Sequence, residues 1–462
     1  MEDHRLYELL RERAKSFGQD HIFRGYDELA EPAKSAFLEQ LRRLNFDGLG
    51  SLLDSYINRA PARHAEFAPA ETIRPPQTAK DIAEFRKARN RGEELLKAGK
   101  VAAFLVAGGQ GTRLGLPGPK GTFPVYPISG KCLFEVFALK LRNLRARYCK
   151  TVPLFIMTNP ENDEETRAFF AAFNFFGLEP ASITFLQQGM LPCIDLWGKL
   201  VLDAPGHIME SPNGHGGALD ALRKAGAVRR LLESGYEELF YFQVDNPMVR
   251  ICDPVFVGFH NLRQADVSTK VVEKTNPDEK VGIVGFIDGK PGVIEYSELT
   301  PEQHRERRKD KRLRYHAGNT AIHVFSLTFL DNIINGNVPL PCHFALKKVR
   351  MPSGEETEVV KFERFIFDTL RFAGKATALE VDRAEEFSPL KNAVGADSPA
   401  AAHVALTTMW LKWLLAAGVA IPRDGSGSPI GRVEISPVFA DSAEELKAML
   451  PSGWEFFDGV VL

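Results

Sequence analysis

Over the first hundred residues apolar side chains return every three or four positions, whereas beyond residue 100 they gather into short unbroken runs between longer helical patterns. The first pattern predicts helices in LYELLRERAKSF, PAKSAFLEQLRRL and TAKDIAEFRKARNRGEELLKAG, the last closed by Gly99 as a C-terminal cap. APARHAEFAPAETIRPPQT, rich in Pro and Ala, predicts an extended connection before the third helix. From residue 100 the order VAAFLVA, CLFEVFALKLRNLRARY, VPLFIMTN, EETRAFFAAFNFFG, SITFLQQ reads strand, helix, strand, helix, strand. That alternation predicts βαβ units and an α/β fold with a mixed, mainly parallel central sheet flanked by helices. Residues 400–421, AAAHVALTTMWLKWLLAAGVAI, are the one membrane-like stretch. His403 and Lys412 interrupt it, and a lysine near the centre of a bilayer is costly, so a buried helix is expected. RVEISPVF, EELKAML and WEFFDGVVL then complete a small C-terminal α/β lobe. The chain divides on this reading into a helical region at 1–98, a central domain at 99–399 and the lobe at 400–462.

Composition narrows the function classes. The chain has 462 residues and a net charge of −2, which argues against bulk nucleic-acid binding and leaves positive charge as a local feature. The basic run RERRKDKRLR at 305–314 has no interleaved aromatic residues to stack bases, so it reads as a solvated surface segment. Cysteines 132, 149, 193, 252 and 342 are widely spaced and form no C-x-x-C pair. They read as reduced thiols of a cytoplasmic protein, and the charged N-terminus MEDHRLYELLRER offers neither a secretory signal nor an anchor. No internal repeat is visible.

The candidate chemistry begins at residues 101–125, VAAFLVAGGQGTRLGLPGPKGTFPV. Val101 to Ala107 is apolar on both faces, as in an inner strand of a parallel sheet. Gly108, Gly109, Gly111 and Gly115 follow, and without Cβ atoms their N–H groups can approach anionic oxygens closely. Arg113 and Lys120 add full charges to these dipoles. The loop is not a Walker motif, because Pro119 precedes Lys120 and Gly121 follows it. It is not a dinucleotide fingerprint either, since the third glycine comes one residue late. A loop for holding polyphosphate is the reading that remains.

G-G-x-G-T-R-L-G followed by P-K-G resembles the signature loop of sugar-nucleotide pyrophosphorylases, and LGLPGPKG resembles the eukaryotic-type UTP branch of that group. The likeness recurs in chain order in QQGMLPC at 187–193, NGHGG at 213–217, QVDNPMVRICDPVFVGF at 243–259, KVVEKTNPDEKVGIV at 270–284, VIEYSEL at 293–299, AGNTAIHVF at 317–325, HFALKKV at 343–349 and EFSPLKNA at 386–393. Over most of residues 95–400 the chain is similar to the UDP-N-acetylhexosamine (UDP-GlcNAc) pyrophosphorylases, of the eukaryotic-type UTP:sugar-1-phosphate uridylyltransferase family. The resemblance implies a Rossmann-like, GT-A-like nucleotidyltransferase domain. It also implies a reaction of UTP with a sugar 1-phosphate that yields a UDP-sugar and pyrophosphate, in a protein that touches no nucleic acid or membrane and is a monomer or weak homo-oligomer.

Such a reaction brings two polyanions together, so charge repulsion is the main obstacle and positioned cations are the main need. On this reading the amides of Gly108, Gly109 and Gly111, beside Val106 and Ala107, cradle the triphosphate, and Arg113 and Lys120 neutralise the leaving β and γ groups. By resemblance, Lys391 of SPLKN faces the sugar phosphate and the α-phosphate. Asp245 follows the apolar run LFYFQ and is expected at the carboxyl end of a buried strand, where a carboxylate can hold Mg²⁺, with Mn²⁺ as the alternative. A turn or helix cap is the other reading of Asp245, and Asp253 in ICDP reads as such a cap. The resemblance gives Lys347 a triphosphate role, with a solvated Lys347–Lys348 pair as the alternative. It gives Gln188 the edge of uracil, Gly214 the face of the base, and Gly282, Glu295 and Asn319 the sugar. One departure stands out. Where N-acetylhexosamine enzymes read P-D-G-N-G-G, this chain has Pro212, Asn213, Gly214, His215, Gly216 and Gly217. His215 is similar to the G-H-G of UDP-glucose and UDP-sugar pyrophosphorylases and is expected to face the sugar phosphate. KVVEKTNPDEKVGIV and EFSPLKNA resemble the N-acetylhexosamine enzymes instead, so N-acetylglucosamine 1-phosphate comes first as substrate, with UDP-glucose or broad UDP-sugar synthesis second. A nucleotide-binding regulator without turnover would require damage to the cationic set, yet Arg113, Lys120, Asp245 and Lys391 are all present.

Overall fold

The computed structural model describes residues 2–58, 65–351 and 354–462. Contacts gather the chain into two units, each assembled from three stretches of sequence. Met1–Ala65, Gln188–Asp220 and Pro339–Asp368 form the first; Glu66–Gln187, Ala221–Val338 and Thr369–Leu462 form the second.

The first unit is built on helices α1 (Glu2–Ser16), α2 (Glu31–Arg43) and α3 (Phe46–Ile57). Leu10, Ala14, Phe37, Leu38, Leu41, Leu49 and Leu53 sit on their inner faces and pack with Ile194, Leu200, Ile208, Val360 and Phe362 from the two later stretches. Buried Gln19 fixes that contact: its Nε2 donates to the Gly198 carbonyl at 2.9 Å, and Leu200 N–H donates to its Oε1 at 2.8 Å. The spacing of apolar residues did not single out α3, because Gly48 and Gly50 interrupt FDGLGSLL. Asn45 starts it instead, accepting the Gly48 N–H at 3.0 Å. The extended connection expected at 60–78 lies outside the described residues as far as 64; beyond that it carries the short strands β1 (Phe67–Pro69) and β2 (Thr72–Ile73) of the second unit.

The second unit holds an eleven-stranded sheet. Its further strands are β3 (Val101–Val106), β4 (Leu154–Thr158), β5 (Ile183–Gln187), β6 (Glu238–Gln243), β7 (Val267–Glu273), β8 (Ile283–Ile287), β9 (Lys290–Ile294), β10 (Ala317–Ser326) and β11 (Ala376–Val381). The main path runs β2-β11-β7-β10-β6-β3-β4-β5. Along it only β10 opposes its neighbours, and every other pairing is parallel. The mainly parallel α/β sheet expected from the alternation is present, and the predicted helices appear as α4 (Ala79–Lys97), α5 (Leu133–Tyr148) and α6 (Asp163–Ala172). Helix α4 crosses α7 (Pro254–Leu262) with backbones almost touching. A Cβ on Gly92 would stand 1.9 Å from the Pro254 carbonyl oxygen, and one on Gly258 would stand 1.7 Å from that of Ala88.

These units differ from the sequence-based division at 98 and 399. Helix α4 belongs with the sheet, and residues 400–462 share its core. Helix α8 (Pro399–Ala416) sets Trp410 edge-on to Tyr126 at 5.1 Å. The buried Glu434 carboxylate accepts the N–H groups of Ile128 and Ser129 at 3.0 and 2.9 Å and pairs with Lys131 at 3.2 Å. Among the described residues no helix is long and apolar enough to cross a membrane. Some charges of the basic run at 305–314 are paired locally. Arg312 reaches Glu273 and Glu380, each at 2.7 Å, Arg314 pairs with Glu306 and Arg74 with Asp310.

Candidate functional site

Parallel pairing of β3 with β6 matches Val106 with Gln243, so both strands end at the same edge of the sheet. The glycine-rich loop leaves one end and Asp245 leaves the other, although about 130 residues separate them in sequence. The Val244 N–H donates to the Val106 carbonyl at 3.0 Å and the Ala107 N–H to the Met157 carbonyl at 2.8 Å, so the polar backbone of these last strand residues serves the sheet. The loop then makes a closed excursion over 110–119. Lys120 N–H donates to Gly109 O at 3.0 Å, and Gly111 N–H to Gly118 O at 2.9 Å. The Gly111 amide, expected in the cradle, closes that turn here. A Cβ there would also lie 2.8 Å from Leu116 Cβ.

Gly108 and Gly109, just before that excursion, are held by the end of another strand. Asn162 Nδ2 donates to the Ala107 carbonyl at 3.1 Å, and Asn159 Nδ2 to the Gly108 carbonyl at 2.7 Å. In a planar trans peptide the carbonyl and the following N–H point in opposite directions. Fixing those two carbonyls therefore turns the N–H groups of Gly108 and Gly109 away from the asparagines.

Four charged groups meet at this edge. Lys120 Nζ donates to the Leu390 carbonyl at 3.3 Å, and Leu390 N–H donates to the Asp245 carbonyl at 2.8 Å, which brings SPLKN and its Lys391 beside the loop. Asn246 completes the attachment: its Nδ2 donates to Glu386 O at 2.7 Å, and its Oδ1 accepts the Ser388 N–H at 3.2 Å. Burial pushes the Lys120 pKa down, Asp245 opposes this, and the charges of Arg113 and Lys391 push it down further. The site thus holds three cations against one carboxylate, a field suited to a polyanion. Asp253 caps α7 through Val255 N–H at 3.0 Å, as expected, and also meets fully buried Lys270 at 2.7 Å. Lys270 binds Glu386 as well, at 2.5 Å, and so ties the 245–253 segment to the one that carries Lys391.

Three of the expected sugar residues also come together. Asn319 N–H donates to the Gly282 carbonyl at 2.8 Å, and the place of a Cβ on Gly282 lies 3.7 Å from Glu295 Oε1. A bulge in β10 aims Asn319. Its register against β7 shifts between Lys270 and Val271, Ala321 takes φ 57°, and Asn319 Oδ1 accepts the Ala321 N–H at 2.9 Å. Its amide nitrogen is thereby presented as a donor.

The remaining expected residues belong to the first unit. Gln188 directly follows β5 and is 6% exposed, and its amide forms no hydrogen bond among the described residues. Gly214, at φ 78°, lies against Arg364: a Cβ would meet the Arg364 carbonyl oxygen at 2.5 Å. His215 is half-buried and stacks on Phe365 at 5.2 Å. Burial, reinforced by His343, pushes its pKa down to about 4, so the ring is neutral near pH 7. Nδ1 accepts the Ile366 N–H at 3.2 Å, which leaves the ring proton on Nε2. Lys347 is exposed on the hairpin of His343–Arg350 with Glu356–Glu363, and alternation along a strand points Lys348 to the opposite face.

The sequence reading gave no role to Asn159, Asn162 or Asn246. The available signal was polar residues immediately after apolar runs, in MTNPEN and QVDN, where strands of a parallel sheet end.

Residues 50–409 match the family described as UTP--glucose-1-phosphate uridylyltransferase. The chain is 36% identical to the UDP-N-acetylhexosamine pyrophosphorylase-like protein 1 of Homo sapiens, over 98% of this chain and 96% of that one. It is 33% identical to the UDP-N-acetylglucosamine diphosphorylase 2 of Arabidopsis thaliana, over 96% and 91%. The UDP-N-acetylglucosamine pyrophosphorylase of Trypanosoma brucei, crystallised with an inhibitor, has the same fold with a TM-score of 0.83 at 27% identity, over 96% of this chain and 94% of that chain. A match of this extent, on a chain whose glycine-rich loop ends beside Lys120, Asp245 and Lys391, places it: the chain belongs to the UTP–glucose-1-phosphate uridylyltransferase family.

Proposed function

We propose that the chain transfers uridylyl from UTP to N-acetylglucosamine 1-phosphate, giving UDP-N-acetylglucosamine and pyrophosphate. The observation that carries this reading is the meeting of Arg113, Lys120 and Lys391 with Asp245 at the mouth of the Gly108–Gly109 turn. The names of the relatives support the N-acetylated sugar. In the reaction an oxygen of the sugar phosphate bonds to the α-phosphorus as the bond from that phosphorus to the bridging β-oxygen breaks. No proton needs to move, so orientation and charge neutralisation do the catalysis. The Gly108 and Gly109 amides hold the triphosphate, Arg113 and Lys120 stabilise the departing pyrophosphate, and Lys391 screens the sugar phosphate from the α-phosphate. Gln188 and Gly214 read the base, and Lys347 adds charge on the triphosphate side. His215, Gly282, Glu295 and Asn319 hold the sugar phosphate, with the Nε2 proton of His215 and the Asn319 amide as donors.

Among the described residues no group of three or more His, Cys, Asp or Glu side chains is placed to hold a metal ion. Asp245 is the residue that would hold Mg²⁺. Bound there, the ion would supply positive charge to offset that of the phosphates. The GT-A-like description of the sheet, a cytoplasmic location, consistent with five unpaired cysteines, and a monomer or weak homo-oligomer belong to the same proposal.

The test is pyrophosphate release from UTP and Mg²⁺ with N-acetylglucosamine 1-phosphate, N-acetylgalactosamine 1-phosphate and glucose 1-phosphate supplied separately. Highest kcat/KM with the N-acetylglucosamine compound is expected. A preference for glucose 1-phosphate would overturn the sugar assignment, and UTP binding without turnover on any of them would overturn the enzyme.

A further inference from the structure

We propose that Asn159 and Asn162 are the positioning residues of the nucleotide-phosphate site: they lock the two peptide planes whose N–H groups receive the triphosphate. The inference rests on the uridylyltransferase reading and adds to it a device that sets phosphate affinity.

Both side chains are almost fully enclosed, at 1% and 0% exposure, and they orient each other. Asn159 N–H donates to Asn162 Oδ1 at 2.9 Å, and Asn162 N–H donates to Asn159 Oδ1 at 2.8 Å. With both amide oxygens occupied as acceptors, both amide nitrogens must face the loop. There Asn162 holds the carbonyl of Ala107 and Asn159 that of Gly108. Glycine at 108 and 109 makes this lock necessary. Residues without a Cβ allow the 107–108 and 108–109 planes to rotate at little steric cost, and a rotated plane would present a carbonyl oxygen to phosphate where an N–H is needed. One dipole reversed in this way replaces attraction by repulsion.

The turn that carries the pair is itself fixed by Asp163. Its Oδ1 accepts Thr158 Oγ1–H at 2.5 Å, and its Oδ2 accepts Arg167 Nε–H at 2.7 Å and Gln187 Nε2–H at 2.8 Å. Gln187 is the last residue of β5, one position before Gln188. The segment 159–163 therefore anchors the phosphate loop and also holds the strand end from which the expected base reader departs.

The experiment measures the affinities of uridine, UMP, UDP and UTP for wild type, Asn159→Ala and Asn162→Ala, with thermal midpoints alongside. In the wild type affinity rises with each added phosphate. In the variants uridine binding is expected to stay within twofold while the gain from uridine to UTP shrinks by about tenfold or more, the effect of losing one charge-assisted hydrogen bond. A purely structural role would lower the thermal midpoint and weaken all four ligands alike. If the alanine variants do not fold, Asn159→Ser keeps an oxygen to accept the Asn162 N–H but is too short to reach the Gly108 carbonyl, and the same loss is expected of it. A folded variant that keeps the wild-type gain per phosphate overturns the brace. A wild type with no gain per phosphate overturns the uridylyltransferase reading instead.

Discussion

Replacing Gly109 by alanine separates what the loop does for the fold from what it does for the ligand. Gly109 is exposed and its φ lies outside the left-handed region, and an added Cβ meets nothing closer than Lys120 Cε at 3.9 Å. The apo fold can therefore accept the methyl, with stability unchanged or raised by about 0.4–1 kcal/mol through the stiffer unfolded chain. The methyl occupies the space between the backbone turn and the Lys120 side chain, where a phosphate bound to both would lie. Losing one hydrogen bond to a charged group costs about 1.5–3 kcal/mol, so UTP should bind roughly ten- to 150-fold more weakly. Gly121→Ala is the contrast. A Cβ there would stand 2.1 Å from Cζ of Phe134, which is 1% exposed in the core, so overpacking should lower stability by at least about 1–3 kcal/mol. Calorimetric titration with UTP and thermal melts of both variants test the pair. Wild-type UTP affinity in Gly109→Ala would remove the loop from phosphate binding, and a melt lowered as far as that of Gly121→Ala would show that the methyl acts on the fold.

Arg113→Ala should lower kcat by about a hundredfold with an unchanged melt, because an exposed side chain is removed and a transition-state charge contact of ~3 kcal/mol is lost; steady-state kinetics decide it. His215, held down to about 4 against an ordinary 6.5, should show no imidazole titration by NMR above about pH 5. The unfolded ring takes up its proton below 6.5, so this group's contribution to stability is complete above pH 6.5 and is lost as pH falls from there towards 4. His215→Asn should shift kcat/KM towards the N-acetylated sugar phosphate, and an unchanged ratio would make the histidine incidental to sugar choice. Burial raises the Glu380 pKa, but His316 at 3.7 Å, the charge and hydrogen bond of Arg312, and the Thr72 hydroxyl outweigh it and hold the carboxyl at about 2, against an ordinary 4.5. Its stabilisation is present above pH 4.5 and fades as pH falls towards 2. Arg312→Met should flatten that part of the denaturant-midpoint profile between pH 5 and 3, and an identical slope would refute the assignment.

What could be read from the sequence was local. Strands β3, β4 and β5 and helices α5 and α6 follow from unbroken apolar runs alternating with helical spacing, and the loop after β3 follows from its glycines. Helix α3 escaped because two glycines break its apolar stripe and its cap, Asn45, is recognisable only once the helix is seen. Residues 400–462 look separate in sequence because nothing local reports that Trp410 reaches Tyr126 or that Glu434 holds the backbone at 128 and 129. The site shows the same limit more sharply. Residue types predicted that Arg113 and Lys120 could act on phosphate, the run before Asp245 marked it as a metal contact and the resemblance added Lys391, but their meeting depends on β3 lying beside β6 and on Asn246 gripping Glu386 and Ser388 from 140 or more positions away. The Gly111 amide shows why glycine count alone misleads. Any glycine in the loop can offer its N–H, and which of them do is decided by what their own and the neighbouring carbonyls and amides already bind. Gly111 is committed to Gly118, while Gly108 and Gly109 are turned outward because two asparagines from the end of another strand have taken the carbonyls behind them. The loop sequence supplies the freedom to form such a cradle, and the residues that select one arrangement lie about 50 positions further along the chain.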